Sequence, residues 1–417
     1  MIAPSQHSEL SVPRLLRRAL RAQGGGDFDK AERLYNAALQ RVPRNFDALH
    51  GLGQIHHRRG RLDTALVLFQ EALKADPWRA DGFASLGLLF HALRQFERAL
   101  ESYGEGLRLA PGDGELCNRR GVALLELGRP REALEDFDRA LAADPENPDT
   151  LGNRGNALFR LNRPAEAIEA YDRALVRAPE SAPLLTNRAI ALRRLDRPHE
   201  ALMSATRALA ANPDFAPARF VEGTLCLLLG DFAAGWRGYE ARWGGSMAAR
   251  RRELAAPLWL GQQSLDGKTI LLHAEQGFGD TIQFVRYAPL VAARGARVVL
   301  EVQPQLVRLL AGMSGVDAVL PRKAPLPRFD FHCPLASLPL ALGTELASIP
   351  AAIPYLKVPA DARARWQARL PEDRPLVGLA WSGERAHDND LNRSIRLATL
   401  LPLLDGADVQ FISLQHD

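Results

Sequence analysis

Apolar positions in the first half of the chain recur in fixed columns 34 residues apart. Alanine fills one column without a break, at Ala31, Ala65, Ala99, Ala133, Ala167 and Ala201. Four residues later stands an aromatic, Tyr35, Phe69, Tyr103, Phe137 and Tyr171, until Ala205 takes the place in the sixth unit. Gly53, Gly87, Gly121 and Gly155, with Ala19 and Ala189, make a small-residue column, and Ala38, Ala72, Gly106, Ala140, Ala174 and Ala208 make another. Each unit closes on a proline: Pro43, Pro77, Pro111, Pro145, Pro179 and Pro213. Proline cannot extend the helix before it, so the pattern predicts a helical unit repeated six times. The small residues mark where helices approach closely. A seventh unit keeps Gly223 and Tyr239 in register but has Gly235 in the alanine column and Met247 in place of the proline. A decayed unit is expected at the end of a stack.

After Gly244 the period vanishes. Residues 244–267 read as a connector, with Gly244-Gly245-Ser246, the basic run Arg250-Arg251-Arg252 and an apolar anchor at Pro257-Leu258-Trp259. From Lys268 onward, strand-like runs at 269–273, 297–302, 318–320 and 329–332 alternate with helical stretches at 280–294 and 304–313. This alternation predicts a parallel, Rossmann-like sheet over 268–370. After a helical piece at 361–369, a strand–loop–helix–strand pattern restarts at 375–381 and ends at 409–414, so 371–417 is expected to begin a second such domain without completing it. The predicted class is α + α/β: a helical solenoid over 12–243, a Rossmann-like parallel-sheet domain and the start of another.

The sharpest local motif is Glu275-Gln276-Gly277-Phe278-Gly279-Asp280-Thr281, on the turn after the first strand. Gly277 and Gly279 allow a tight turn and close approach of a ligand to the backbone. A dinucleotide fingerprint would need a third glycine where Ile282 stands, and Asp280 would repel a pyrophosphate. Glu301, at the end of the second strand, could still mimic a ribose-binding acid, so that reading stays open. A plain helix cap is the other role open to Asp280. His387, Asp388 and Asp390 form a polar loop that reads as solvent-facing sequence, and no metal is expected.

The 34-residue unit resembles the tetratricopeptide repeat, a helix–turn–helix whose aromatic fills the gap between its two helices. The run from His273 to Phe284, with Leu265-Asp266-Gly267-Lys268-Thr269 before it, looks like the opening of the catalytic part of bacterial tetratricopeptide proteins fused to a heptosyltransferase-like glycosyltransferase. That resemblance implies a general base presented by the Gly279-Asp280 pair, with Glu275 in reserve. The run Val377-Gly378-Leu379-Ala380-Trp381-Ser382-Gly383, followed by Asn392-Arg393-Ser394, is similar to the opening of a donor-binding half. It implies contacts to a nucleotide sugar or its phosphates from Ser382, Gly383 and Arg393. In the family most donor contacts come from later strands, which this sequence does not contain. In outline the architecture also resembles the protein O-GlcNAc transferases, whose inner asparagine ladder holds peptide main chain. Asn118, Asn153 and Asn187, with Arg120, Arg154 and Arg188 beside them, are the corresponding candidates here, interrupted by Arg119. A simple polar helix face is the alternative.

Composition sets outer limits. With 417 residues the chain predicts more than one domain. Its 53 Lys+Arg nearly balance 49 Asp+Glu, which gives no warrant for a nucleic-acid surface. Three widely spaced cysteines, Cys117, Cys226 and Cys333, suggest a reducing compartment and no metal spacing. No apolar run reaches membrane-spanning length, and the expected location is the cytoplasm. The sequence therefore supports two readings. One is a transferase that uses a nucleotide sugar, needs no cofactor, and has a protein or peptide partner on the concave face of its repeats. The other is a non-catalytic scaffold with an incomplete transferase domain.

Overall fold

Six pairs of antiparallel helices build the first part of the computed structural model, which describes residues 11–245, 247–371, 374–383, 390–404 and 408–415. In each pair the first helix has 13 residues and the second 14, from Val12–Gly24 and Phe28–Arg41 to Ala182–Arg194 and Pro198–Ala211. The alanine column is wholly buried. The aromatic column lies against the glycines of the partner helix. A Cβ on Gly53 would stand 2.5 Å from the Phe69 ring, one on Gly121 2.6 Å from Phe137, and one on Gly155 2.4 Å from Tyr171. Helix spacing within a repeat is thus set by a ring seated on bare backbone. Each proline sits in the turn after a second helix, and Asn45, Asp113 and Asn147 cap the helix that follows, accepting from the N–H groups of Ala48, Leu116 and Thr150.

The chain divides into two units, Met1–Ala218 and Arg219–Asp417. This boundary falls inside the seventh repeat, earlier than the 243/244 junction expected from the sequence. The reason is visible within the second unit. On the helix Phe232–Tyr239, Trp236 and Tyr239 pack against the apolar core of the sheet, and Trp236 meets Phe284 edge-on with centroids 6.2 Å apart.

That sheet has four parallel strands, β1 (Thr269–His273), β2 (Arg297–Val302), β3 (Ala318–Pro321) and β4 (Phe331–Pro334), in the order β3-β2-β1-β4. The central strands are buried nearly throughout, as a sheet covered on both faces requires. Trp259 is fully buried, and its backbone N–H donates to His332 at 2.8 Å, so the connector adds a short bridge beside β4. The fourth strand begins two residues later than the sequence suggested. Asp330 stands at this edge: its N–H donates to the Thr269 carbonyl at 2.8 Å and its carboxylate accepts the Thr269 N–H at 2.8 Å, so it closes the start of β1 ahead of the paired residues. The stretch at 280–294 is likewise broken into Phe278–Phe284, a 3₁₀ turn at Val285–Tyr287 and Ala288–Ala292. A separate pair of parallel strands, β5 (Leu376–Leu379) and β6 (Gln410–Ser413), completes the described fold.

Candidate functional site

Two surfaces, one in each unit, carry the candidate residues. In the repeats, the first helices at Gly114–Glu126, Pro148–Arg160 and Ala182–Arg194 line a cleft of about 330 Å³ whose walls include Asn153, Asn156, Asn187, Phe159 and Ile190. The asparagines form linked pairs. Asn153 Nδ2 donates to Asn118 Oδ1 at 3.1 Å, and Asn187 Nδ2 donates to Asn156 Oδ1 at 2.9 Å. Tyr171 of the aromatic column also donates to Asn156 Oδ1, at 2.8 Å. These bonds fix the amide planes and leave amide donors and acceptors facing the cleft. Asn156 was not singled out from the sequence, although it stands one helical turn from Asn153 on the same face.

The arginine column is placed differently from the peptide-binding role expected of it. Arg120 forks onto Asp136 at 2.7 and 2.6 Å, Arg154 donates to Asp138 at 2.7 Å, and Arg188 donates to Asp172 at 2.6 Å. Each pair clamps a first helix to a second helix, so the guanidinium groups serve helix packing; of the expected residues Asn153 and Asn187 line the cleft, and Asn118 supports Asn153 from beside it.

In the second unit, Glu275, Gln276 and Gly277 follow β1 at the C-terminal edge of the sheet and line a cavity of about 670 Å³. Ligands of open parallel sheets collect at this edge. Glu275 is buried, with Arg242 at 3.5 Å and the Ala336 N–H donating at 3.3 Å. Burial raises its carboxyl above the usual range, with Arg242 pulling against it. Arg242 itself is buried between Glu240 at 2.5 Å and Ser337 at 2.6 Å. Nothing in the sequence marks Arg242, because two of its partners, Glu275 and Ser337, stand 33 and 95 positions further along the chain.

Asp280 sits elsewhere on the turn. Its Oδ2 accepts the Gly277 N–H at 3.0 Å, the reciprocal half of a capping box, and it lines a crevice too narrow for water beside Leu335 and Ala336. Gly277 and Gly279 are exposed on the same turn. Glu301, the acid considered for a ribose, is buried and ion-paired with Arg252.

Behind the cavity, His273 of β1 and His332 of β4 meet at 3.2 Å. Burial, then His332 and three arginines, push His273 down to about 3, and burial with Arg252 lowers His332. Both rings are therefore neutral at physiological pH.

In the separate strand pair, Gly383 N–H donates to Ser394 Oγ at 3.0 Å and Ser382 N–H donates to Gln415 at 3.1 Å. The Arg393 guanidinium lies over Gly383, so close that a Cβ there would be 2.0 Å from it. The fold thus brings Ser382, Gly383 and Arg393 together. His387 and Asp388 lie outside the described residues. No group of metal-ligating side chains and no membrane-crossing helix occurs among the described residues.

Comparison with known proteins bears on the repeats. The tetratricopeptide repeat model matches residues 16–80, 118–182 and 186–243. The chain carries tetratricopeptide repeats. The chain is similar to Protein FlbA of Caulobacter vibrioides, 27% identical over 219 residues, which covers 48% of this chain and 37% of FlbA. The matched part thus spans little more than a third of that relative's length. Among solved structures, a tetratricopeptide repeat protein from Parabacteroides merdae aligns with TM-score 0.47 and 20% identity, covering 56% of this chain and 93% of that one. YrrB, described as having an unusual peptide-binding site, aligns with TM-score 0.39 and 19% identity over 44% of this chain and 95% of its own. A repeat solenoid of this kind is suited to protein–protein interaction.

Proposed function

We propose that the repeats hold an extended protein segment in the cleft of Asn153, Asn156 and Asn187, and that this segment, or a glycan on it, is the acceptor for a nucleotide-sugar-dependent transfer in which the sheet domain takes part. The observation that carries the first half is the linked asparagine ladder. Amides already fixed by one hydrogen bond can pair with peptide main chain at little further entropic cost and without regard to side chains. The test uses the whole chain and a peptide-display library panned against it. Joint Asn153→Ala and Asn187→Ala changes should weaken the selected peptides by about 1 kcal/mol per side chain, roughly thirtyfold together. Equal binding by both proteins would refute the ladder.

The transfer half rests on the resemblance and on the acidic turn at the sheet edge. Asp280 is the proposed base, with Glu275 in reserve, and Ser382, Gly383 and Arg393 are the proposed donor contacts. A base must reach the attacking hydroxyl, whereas a cap need only accept the Gly277 N–H. Asparagine caps about as well as aspartate. Asp280→Asn should therefore cut sugar transfer by about 100-fold or more with unchanged melting if Asp280 is the base. Near-normal turnover would reduce it to a cap. The second reading, a scaffold without transfer of its own, rests on the repeats alone, which are suited to protein–protein interaction. It predicts peptide binding with no turnover of any nucleotide sugar.

A further inference from the structure

The cavity at the edge of the four-stranded sheet has a charge surplus that the transfer reading does not use. Its walls carry Arg250, Arg252, Arg322 and Lys323 against two carboxylates, Glu275 and Glu301. Arg252 pairs with Glu301, and Glu275 is held by Arg242. Arg322 donates to the backbone carbonyl of Ala274, and Arg250 and Lys323 are exposed with no carboxylate bound to them among the described residues. Three cations thus face one cavity without a counter-charge of their own. Lys323 is moreover held at φ 72°, a left-handed backbone that residues with a Cβ rarely adopt and that clusters at ligand sites. The potential of this wall reaches the histidines behind it. After burial and His332, Arg252 and Arg322 are among the groups that keep His273 neutral.

We infer that this cavity binds a phosphorylated small molecule, with its phosphate oxygens between Arg250, Arg322 and Lys323. Guanidinium forks match phosphate oxygens in pairs, and a mobile lysine adds a point charge. Three cations with no carboxylate of their own among the described residues suit a phosphate or diphosphate better than the single charge of a carboxylate. At about 670 Å³ the cavity also exceeds an inorganic ion, leaving room for an organic remainder near Gln276, Ala324 and Leu326. The assignment does not depend on Asp280, which lines the adjoining narrow crevice and not the cavity wall.

The experiment is calorimetric titration of the whole chain at fixed ionic strength with pyrophosphate, ADP, glucose 1-phosphate and, as a carboxylate probe, glucuronate. Pyrophosphate should bind saturably, glucuronate more weakly, and ADP or glucose 1-phosphate more tightly than pyrophosphate. The double change Arg250→Ala with Lys323→Ala removes two exposed side chains without touching the core, and should weaken binding about tenfold or more. Arg250→Lys with Lys323→Arg should retain most of it. A control pair on the repeats, Lys30→Ala with Arg131→Ala, should change nothing, and neither should Asp280→Asn. Absence of saturable binding by every phosphate probe, equal binding in the Arg250/Lys323 variant, or an equal loss in the control pair would overturn the site. Tighter binding of glucuronate would overturn the phosphate assignment, and pyrophosphate tighter than both organic phosphates would overturn the organic remainder. Loss of sugar transfer in Asp280→Asn with phosphate binding intact separates this inference from the transfer reading.

Discussion

One position in each repeat turn is left-handed, and the sequence fills it unevenly. Gly26, Gly60, Gly128 and Gly230 adopt φ between 71° and 91° there, but Arg94, Asn162 and Asp196 adopt 57° to 58°. Asparagine and aspartate tolerate this region through their short polar side chains; arginine has no such relief. Arg94→Gly should therefore raise stability by about 0.5–1 kcal/mol, the left-handed strain removed less the entropy glycine costs the folded chain and the Arg94 contact with Phe96. Chemical denaturation of the two proteins measures it, and a loss of stability would show that the Phe96 contact outweighs the strain. The column was in the sequence all along, at Gly26, Gly60 and Gly128, but the mixture of residue types hides it until the backbone angles are seen.

At the level of the helix pair, glycines with similar surroundings in sequence have opposite structural roles. Gly155 faces the Tyr171 ring, whereas a Cβ on Gly104 would meet nothing within 4 Å. Alanine favours a helix over glycine by about 1 kcal/mol, so Gly104→Ala should stabilise by nearly that amount. Gly155→Ala gains the same propensity but drives a methyl group into a buried ring, an overpacking cost of about 1–3 kcal/mol. It should lower stability, and thermal melting of the two variants tests the difference in sign. The 34-residue columns made the helix pairs legible because every repeat must solve the same packing problem with its neighbours. The arginine column misled for a related reason: Arg120, Arg154 and Arg188 recur because the gap they span recurs, and only the tertiary contact to Asp136, Asp138 and Asp172 shows which neighbour they serve.

For the molecule as a whole, pH should act unevenly on its two units. His273 titrates at about 3 in the folded sheet and near its ordinary 6.5 when unfolded, with burial the main cause. Between those values the unfolded chain binds a proton that the folded chain refuses, so stability is present above about pH 6.5 and falls as pH drops, by about 1.4 kcal/mol per pH unit. Glu275, raised by burial, acts in the opposite direction above its own ordinary range. Five of the six tryptophans, Trp236, Trp243, Trp259, Trp366 and Trp381, lie in the second unit, so their fluorescence during urea unfolding follows it. The slope should flatten in His273→Asn; an unchanged slope would assign the pH response to other groups.

The sequence by itself determined the repeat, its period, its small-for-aromatic packing and the alternation that makes parallel strands, because each of these is a local pattern repeated or extended along the chain. It also placed Glu275, Gln276, Gly277 and Asp280 on one turn. Tertiary structure alone decided what those side chains meet. Arg242 reaches Glu275 and Ser337, Arg252 reaches Glu301, and Arg250 joins Arg322 and Lys323 around one cavity. The end of the last repeat also folds its Trp236 and Tyr239 onto the sheet core. These meetings join residues 33 to 95 positions apart, across which neither helical nor strand periodicity carries information. Burial and charge at such a site come from the partners, and the chain records the partners without recording that they meet.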